Sequence, residues 1–450
     1  MNKLLSIKIA SILLLALLIL LPLQLIQAKI SERAVLRDSA AESVAASWTG
    51  SQSVNGPVIA LVYQERVVTK IPDSEGFRFS SVEELATKRR YFAPETLAVN
   101  AAMQTEVLKK GIYAIPVYTT QLKFEGLFDF SRVEQAVAEL QQSDSVTNIE
   151  AIKVLWRISD PRGLNAVSTL TLNETAYAMT PGMPSGLNGS GMHLELPLGA
   201  TEGKAVPYTF SLELRGMRDL SFLPVAKQTD IHMESDWPHP SFQGSFLPAQ
   251  RAITDDGFTA SWHVNEFASN ASAQMQQCFR PDCGHFQVPS LGVQLVDPID
   301  IYLQSERAVK YGFLFVALIF TAFFTFELLA KLRIHPVQYT LVGVSIAAFF
   351  LLLISLAEHL GFKVAYALSA FASLGVIAFY LQSILQSVGI AAKFSAGLGA
   401  LYWLLYMILK SEDYALLMGA MLCFMVLAAV MVLTRNIDWY GLGDRVSQNS

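Results

Sequence analysis

Residues 230–236 of this 450-residue chain read DIHMESD, with Asp230, His232, Glu234 and Asp236 on alternate positions. On a strand, alternate side chains share one face, and carboxylates with an imidazole are donors that suit a divalent metal. His193 and Glu195 repeat the spacing with two potential ligands. The ordinary alternative is the wetted face of a half-buried strand, and the alternation favours it. Cys278 and Cys283 bracket FRPD, with His285 just beyond. A zinc site there would lack a fourth ligand nearby, so a local disulfide in an oxidising compartment is expected, with metal or free thiols as the alternatives. His239 stands between two prolines in DWPHPSFQGSFLP (236–248), either as a lone ligand or inside a rigid corner. Two carboxylates fall in apolar runs: Glu327 in FFTFELLAKLR and Glu358, beside His359, in LAEHLGF. Carboxylates at such depth are costly unless paired, which makes them functional candidates by default.

Enzymatic signatures do not accompany these groups. The sequence has no Gly-x-Ser-x-Gly elbow, no Walker loop, no His-Glu-x-x-His and no Cys-x-x-Cys-His. No cofactor is implied, and the expectation is a non-enzymatic protein, with a tethered hydrolase as the weakest of the readings. A net charge of −5 without a basic patch gives no reason to expect nucleic acid.

The elements that carry these residues follow from composition. Only 16% of the chain is charged, against roughly 25% in ordinary soluble proteins, and the apolar excess lies at the two ends. Ile9–Ile26 is long enough for a single span and longer than the usual apolar core of a secretory signal. An uncleaved anchor is therefore favoured over a signal peptide cut near Ala28. Pro22 is tolerable in a membrane helix. Five further spans are expected near 311–330, 337–356, 364–385, 394–409 and 414–434. With the N-terminus cytoplasmic, Lys3, Lys8, Lys331, Arg333, Lys393, Arg435 and Arg445 fall inside, against Lys363 and Lys410 in the short outer loops. This agrees with the positive-inside bias; Lys29, Arg33 and Arg37 run against it but precede a long translocated domain. Arg307, Lys310 and Tyr311 form a basic, aromatic collar at the membrane junction, placed to meet acidic residues of that domain or lipid headgroups.

Between the spans, period-two patterning dominates. Tyr208, Phe210, Leu212 and Leu214 alternate with polar residues, as do Phe258, Ala260, Trp262 and Val264. Ser81–Lys110 opens with the capping sequence SVEE and predicts helix, with a second helical pattern after Pro94; Ser131–Gln142 predicts another. The fold expected is an α+β membrane protein. Residues 1–29 form a cytoplasmic tip and anchor, 30–308 a periplasmic, mainly β domain with one or two helices, 309–436 a five-helix membrane domain, and 437–450 a cytoplasmic tail.

Within the bilayer, Glu327, near the cytoplasmic end of its span, is expected to face other helices or water, or to pair with Lys331 at i+4. Glu358 and His359 fall at the outer end of the next span, either as a titratable pair or as wetted loop ends. On the same topology the two sites lie on opposite sides of the bilayer.

Several stretches together resemble one family. They are YFAPETLAVNAAMQTEVLKKGIYAIPVYTTQLKFEGLF (91–128), RGLNAVSTLTLN (162–173) and LELRGMRDLSFLPVAKQTDIHMESDWPHPSFQGSFLP (212–248) followed by GFTASWHV (257–264). GVQLVDPIDIYLQSERAVKYGFLF (292–315), FELLAKLRIHPVQYTLVG (326–343) and LISLAEHLGF (353–362) continue the likeness in the same order. The pattern is similar to the CreD-like inner-membrane proteins. The cysteine-containing insertion after Val264 departs from it, so the likeness lends the cysteine pair no support. The resemblance implies an envelope-integrity role, control by a two-component regulator, and responses to β-lactams and a colicin. It brings no catalytic residue and no cofactor. Within it, Trp237, Pro238, Pro240, Ser241, Phe242 and Gly244 form the central signature, a structural clamp in which His239 is dispensable. Partners expected are the bilayer and either envelope proteins or peptidoglycan. A sensor or scaffold is the leading reading; a transporter or flippase-like protein built on the spans is the second.

Overall fold

The computed structural model describes residues 3–72, 79–167, 169–187, 189–199, 205–271, 273, 289–296, 301–329, 334–385, 388–411 and 414–435. Two compact units emerge: Ala40–Pro298, and Met1–Ser39 together with Ile299–Ser450.

The first unit is built from two sheets sharing one core. One contains β1 (Gln52–Pro72), β2 (Phe79–Phe92), β5 (Val146–Ile158), β9 (Thr180–Pro181), β10 (Gly191–Leu196), β12 (Asp219–Phe222), β14 (Pro240–Gly244) and β17 (Leu291–Leu295). In order across it run β14-β17-β12-β1-β5-β10-β9, with β2 also on β1. The other sheet runs β15 (Gln250–Thr254), β16 (Gly257–Asn265), β13 (Gln228–Ser235), β3 (Thr96–Lys110), β4 (Tyr113–Phe128), β11 (Val206–Met217), β7 (Leu170–Leu172) and β8 (Thr175–Tyr177), with β6 (Leu164–Val167) on β11. Their facing side chains meet: Trp156 of the first sheet lies 4.7 Å from Phe210 and 6.4 Å from Phe124 of the second, measured between ring centroids. Aromatic pairs of this kind add to the burial energy of the large rings. The phenol O–H groups of Tyr118 and Tyr208 donate to the carbonyls of Asp219 (2.7 Å) and Thr96 (3.0 Å), and burial pushes both phenols far above their ordinary titration range. At Gly126 an added Cβ would run into the Thr96 carbonyl and the Tyr208 hydroxyl, so the two strands can close only around glycine.

The alternation expected for 208–214 and 258–264 is seen, with the apolar members buried. Helix α2 (Ser131–Gln141) also forms as expected, and buries Val133, Ala136 and Leu140. The helices expected across Ser81–Lys110 do not form; that stretch is β2 and β3. Capping chemistry at SVEE is local. It loses to the β1–β2 ladder, paired from Ile59–Phe92 to Pro72–Phe79, and to the β3–β4 hairpin, paired from Thr96–Leu127 to Lys110–Tyr113. In β3, Leu97, Val99, Ala101 and Met103 are buried in alternation, a pattern blurred in the sequence by alanine on both faces. A four-residue helix, α3 (Glu266–Ser269), follows β16.

Helix α1 runs unbroken from Lys3 to Ser47 through Pro22, well past the end expected for a bare anchor. Its last turns belong to the β unit, where Ala41 and Val44 pack with Ile115, Val117 and Met217. Arg162 caps its end by donating to the Ala46 carbonyl at 2.7 Å.

In the second unit α1 is joined by α4 (Ile301–Lys310), α5 (Gly312–Leu329), α6 (Pro336–Leu360), α7 (Phe362–Leu385), α8 (Val388–Lys410) and α9 (Ala415–Thr434). Among the described residues five helices are long and apolar enough to cross a membrane, and α4 with α5, bent by 43°, would make a sixth. Together with the sheets this is an α+β membrane protein. Ile19 of α1 approaches α6 so closely that a Cβ at Gly343 would overlap it, the close backbone approach that small residues allow between membrane helices. Hydroxyls of Ser345, Ser373 and Tyr402 link α6, α7 and α8, with Ser373 to Tyr402 at 2.9 Å and Ser345 to Ser373 at 3.2 Å.

Candidate functional site

Strand β13 directs Ile231 and Met233 into the core and Asp230, His232 and Glu234 outward. Parallel pairing with β3 sets Ala98 beside Asp230, Asn100 beside His232 and Ala102 beside Glu234. Across β3, the β4 register brings Lys123 opposite Asn100 and Gln121 opposite Ala102. On the other flank β16 supplies His263, Ser261 and Thr259. Ala98 and Ala102, with Asn100 between them, thus form the floor of a trough, and longer polar side chains on β4, β11 and β13 form its walls. Three adjoining hollows of about 520, 290 and 600 Å³ open along this face, sharing Asn100 and His232, or Ala102 and Glu234, at their borders.

Several groups in the trough engage one another. The His263 ring nitrogen meets the Asp230 carboxylate, and the His232 ring shares a hydrogen bond with the Ser261 hydroxyl at 3.0 Å. Asp236 accepts from the Thr105 N–H at 2.9 Å and its hydroxyl at 2.8 Å, and Glu213 accepts from Asn165 at 2.7 Å. Among the described residues no group of three His, Cys, Asp or Glu is placed to hold a metal ion. The second pair considered from the sequence separates as well: His193 contacts the Gly182 carbonyl at 2.8 Å and Glu195 binds Lys153 at 3.1 Å.

The signature segment leaves β13, crosses to the other sheet as edge strand β14, and returns to β15. Trp237 donates its indole N–H to the Val296 carbonyl at 3.0 Å. Phe242 sets its ring edge-on to Phe258 and Trp262, at 5.7 and 5.8 Å. Trp262 in turn donates to the Phe246 carbonyl at 3.1 Å. Pro240 and Ser241 open the edge strand, Pro238 sits in the crossing, and Gly244 has φ +100° where a Cβ would strike the Ser290 carbonyl. His239 is exposed, and its carbonyl accepts from the Val296 N–H at 3.2 Å. Cys278 and Cys283 lie outside the described residues.

In the membrane unit Glu327 is 4% exposed. Its carboxylate binds the Lys8 ammonium of α1, the Tyr339 hydroxyl at 2.9 Å and the Ile334 N–H at 2.9 Å. Lys331, the partner expected at i+4, lies outside the described residues. Glu358 accepts from the Tyr302 hydroxyl at 3.1 Å and has Arg33 of α1 at 3.6 Å, while His359 is exposed. Of the collar, Lys310 pairs with Glu306 one turn back at 2.8 Å, and Tyr311 marks the bend between α4 and α5. Lys8 and Arg33 are 25 residues apart, roughly 37 Å along a helix, so α1 is held at both ends of a span.

Two of these sites escape linear reading. Lys8 looks like a topology signal, and its partner stands 319 residues away. The trough needs β3 beside β13, strands more than a hundred residues apart; the usable signal was the polar alternation of β13 and β16.

The sequence matches the family described as "CreD: Inner membrane protein CreD" over residues 4–440. It is 35% identical over 426 residues to "Inner membrane protein CreD" of Escherichia coli (strain K12), an alignment covering 94% of this chain and 91% of that protein. The chain belongs to the CreD family of inner membrane proteins.

Proposed function

We propose that this protein is a non-enzymatic factor of cell-envelope integrity or envelope-stress response, acting as a sensor or scaffold through the outer face of its β unit. Both termini are cytoplasmic and the β unit is periplasmic in this reading, which the distribution of lysine and arginine around the spans supports. The observation that carries it is the trough over Ala98, Asn100 and Ala102, walled by polar side chains and open along its length. The hydrogen bonds there support binding over reaction: the Ser261 hydroxyl meets His232 while the Asp230 carboxylate meets the other histidine, His263, so these contacts do not join serine, histidine and carboxylate in one relay. Its partners come from the bilayer in which the helices sit and from envelope proteins or peptidoglycan at the trough.

Filling the trough tests the reading. Full-length Ala98→Trp/Ala102→Trp, returned to cells lacking the protein, should reach wild-type membrane levels yet fail to restore the envelope barrier, measured as leakage of a periplasmic reporter. Full restoration by that variant would overturn the assignment. The hydroxyls of Ser345, Ser373 and Tyr402 satisfy one another as interhelical contacts do, and so offer a transporter reading no open polar group at those positions.

A further inference from the structure

We infer that the trough binds an extended, basic polypeptide segment carrying Lys or Arg at alternate positions. The inference rests on the reading of the trough as the working surface, and adds the chemistry of its occupant. Shape comes first and is independent of charge. Ala98 and Ala102 leave the floor low while the neighbouring strands raise Lys123, Glu213, His232 and Glu234, so a chain can lie along β3. From Ala98 to Gln104 the floor spans seven residues of β3, six steps or about 20 Å at the rise of a strand, enough for about seven residues of extended peptide.

Charge then selects the occupant. The lining holds five carboxylates (Asp230, Glu234, Asp236, Glu213 and Asp256) against one ammonium, Lys123. Lys123 itself is engaged with Glu125 at 2.6 Å. Asp230, His232 and Glu234 stand at alternate positions on one face of β13, a repeat of about 6.7 Å per two residues, and Asp236 follows just past the strand's end. Same-side side chains of an extended peptide repeat at that distance, so basic residues at alternate positions come into register with the wall. A glycan is the weaker fit: Trp262 and Phe258 touch the lining but are only 2% and 3% exposed, turned into the core and unable to stack on a sugar. Complementary charge of this kind sets orientation and association rate, and its effect falls as salt rises.

The full chain in nanodiscs of zwitterionic phospholipid, with empty nanodiscs as control, provides the test. A fluorescent ten-residue peptide alternating Lys and Ser should bind, and a peptide of the same composition with its lysines clustered in one half should bind at least several-fold more weakly. Asp230→Asn/Glu234→Gln and Ala102→Trp should each weaken the alternating peptide at least tenfold. No binding above empty nanodiscs, equal binding of the two peptides, or binding unchanged in both variants would each overturn the inference. A muropeptide fragment that bound where the basic peptide did not would also overturn it. In that case, loss of envelope function in the trough-filled variant would leave the broader reading standing.

Discussion

Carboxylates in the two units are held under opposite conditions. In the membrane unit, Glu327 is buried and meets a cation, a phenol and a backbone N–H, so each charge-assisted bond offsets the cost of taking it out of water. In the β unit, Asp230 and Glu234 stand on the outward face of β13, and water stabilises them whether or not a partner is present. A charge that has been desolvated reports on the fold, because removing its partner leaves it stranded. A row of wetted like charges contributes little to the fold and is free to serve recognition. Glu327 is therefore a structural pin of α1, and the trough is the surface to examine for function.

The sharpest way to break this contrast is to strand Glu327. Lys8→Ala or Glu327→Ala should cost about 3–5 kcal/mol, the range for breaking a buried pair, read as a lowered unfolding midpoint in detergent. The exchanged pair Lys8→Glu/Glu327→Lys should recover part of that loss. If neither single change moved the midpoint, the pin would not exist. Next in size is Trp237, whose ring and indole N–H fasten the crossing between sheets. Trp237→Ala should cost about 3 kcal/mol, while His239→Ala should stay within about 0.5 kcal/mol, as surface changes do; equal effects would refute the clamp. Glu358→Gln should cost only about 1 kcal/mol, since Arg33 is half exposed and sits at 3.6 Å.

The smallest effect concerns acid. The Arg162 guanidinium, hydrogen-bonded to Asp160, holds that carboxyl below the ordinary carboxylate range. A depressed value means the contribution is complete above the unfolded pKa, about 4, and is lost as pH falls through the folded value. Asp160→Asn should therefore lower stability at neutral pH by under about 1 kcal/mol, given the exposure of Arg162. It should also flatten the acid limb of the stability profile; an unchanged limb would contradict the assignment.

How much of this was legible in the sequence depended on the range of the interactions. Tyr208–Leu214 and Phe258–Val264 announced their strands because alternation is written in neighbours. The membrane helices were visible in hydropathy alone. Ser81–Lys110 misled because its capping residues and alanines describe a local preference, while its structure is decided by partners in β1 and β4. Glu327 was recognisable as costly, yet its cation comes from the other end of the chain. The trough was half legible: β13 and β16 displayed their polar faces, but the alanine floor acquires meaning only once β3 lies beside β13.

The most direct test asks whether function and fold separate as their charges do. Asp230→Asn/Glu234→Gln in the full-length chain should unfold at the wild-type midpoint and yet fail to restore the envelope barrier in cells lacking the protein. Full restoration by that variant would contradict the account, as would a loss of function that tracked a lowered midpoint.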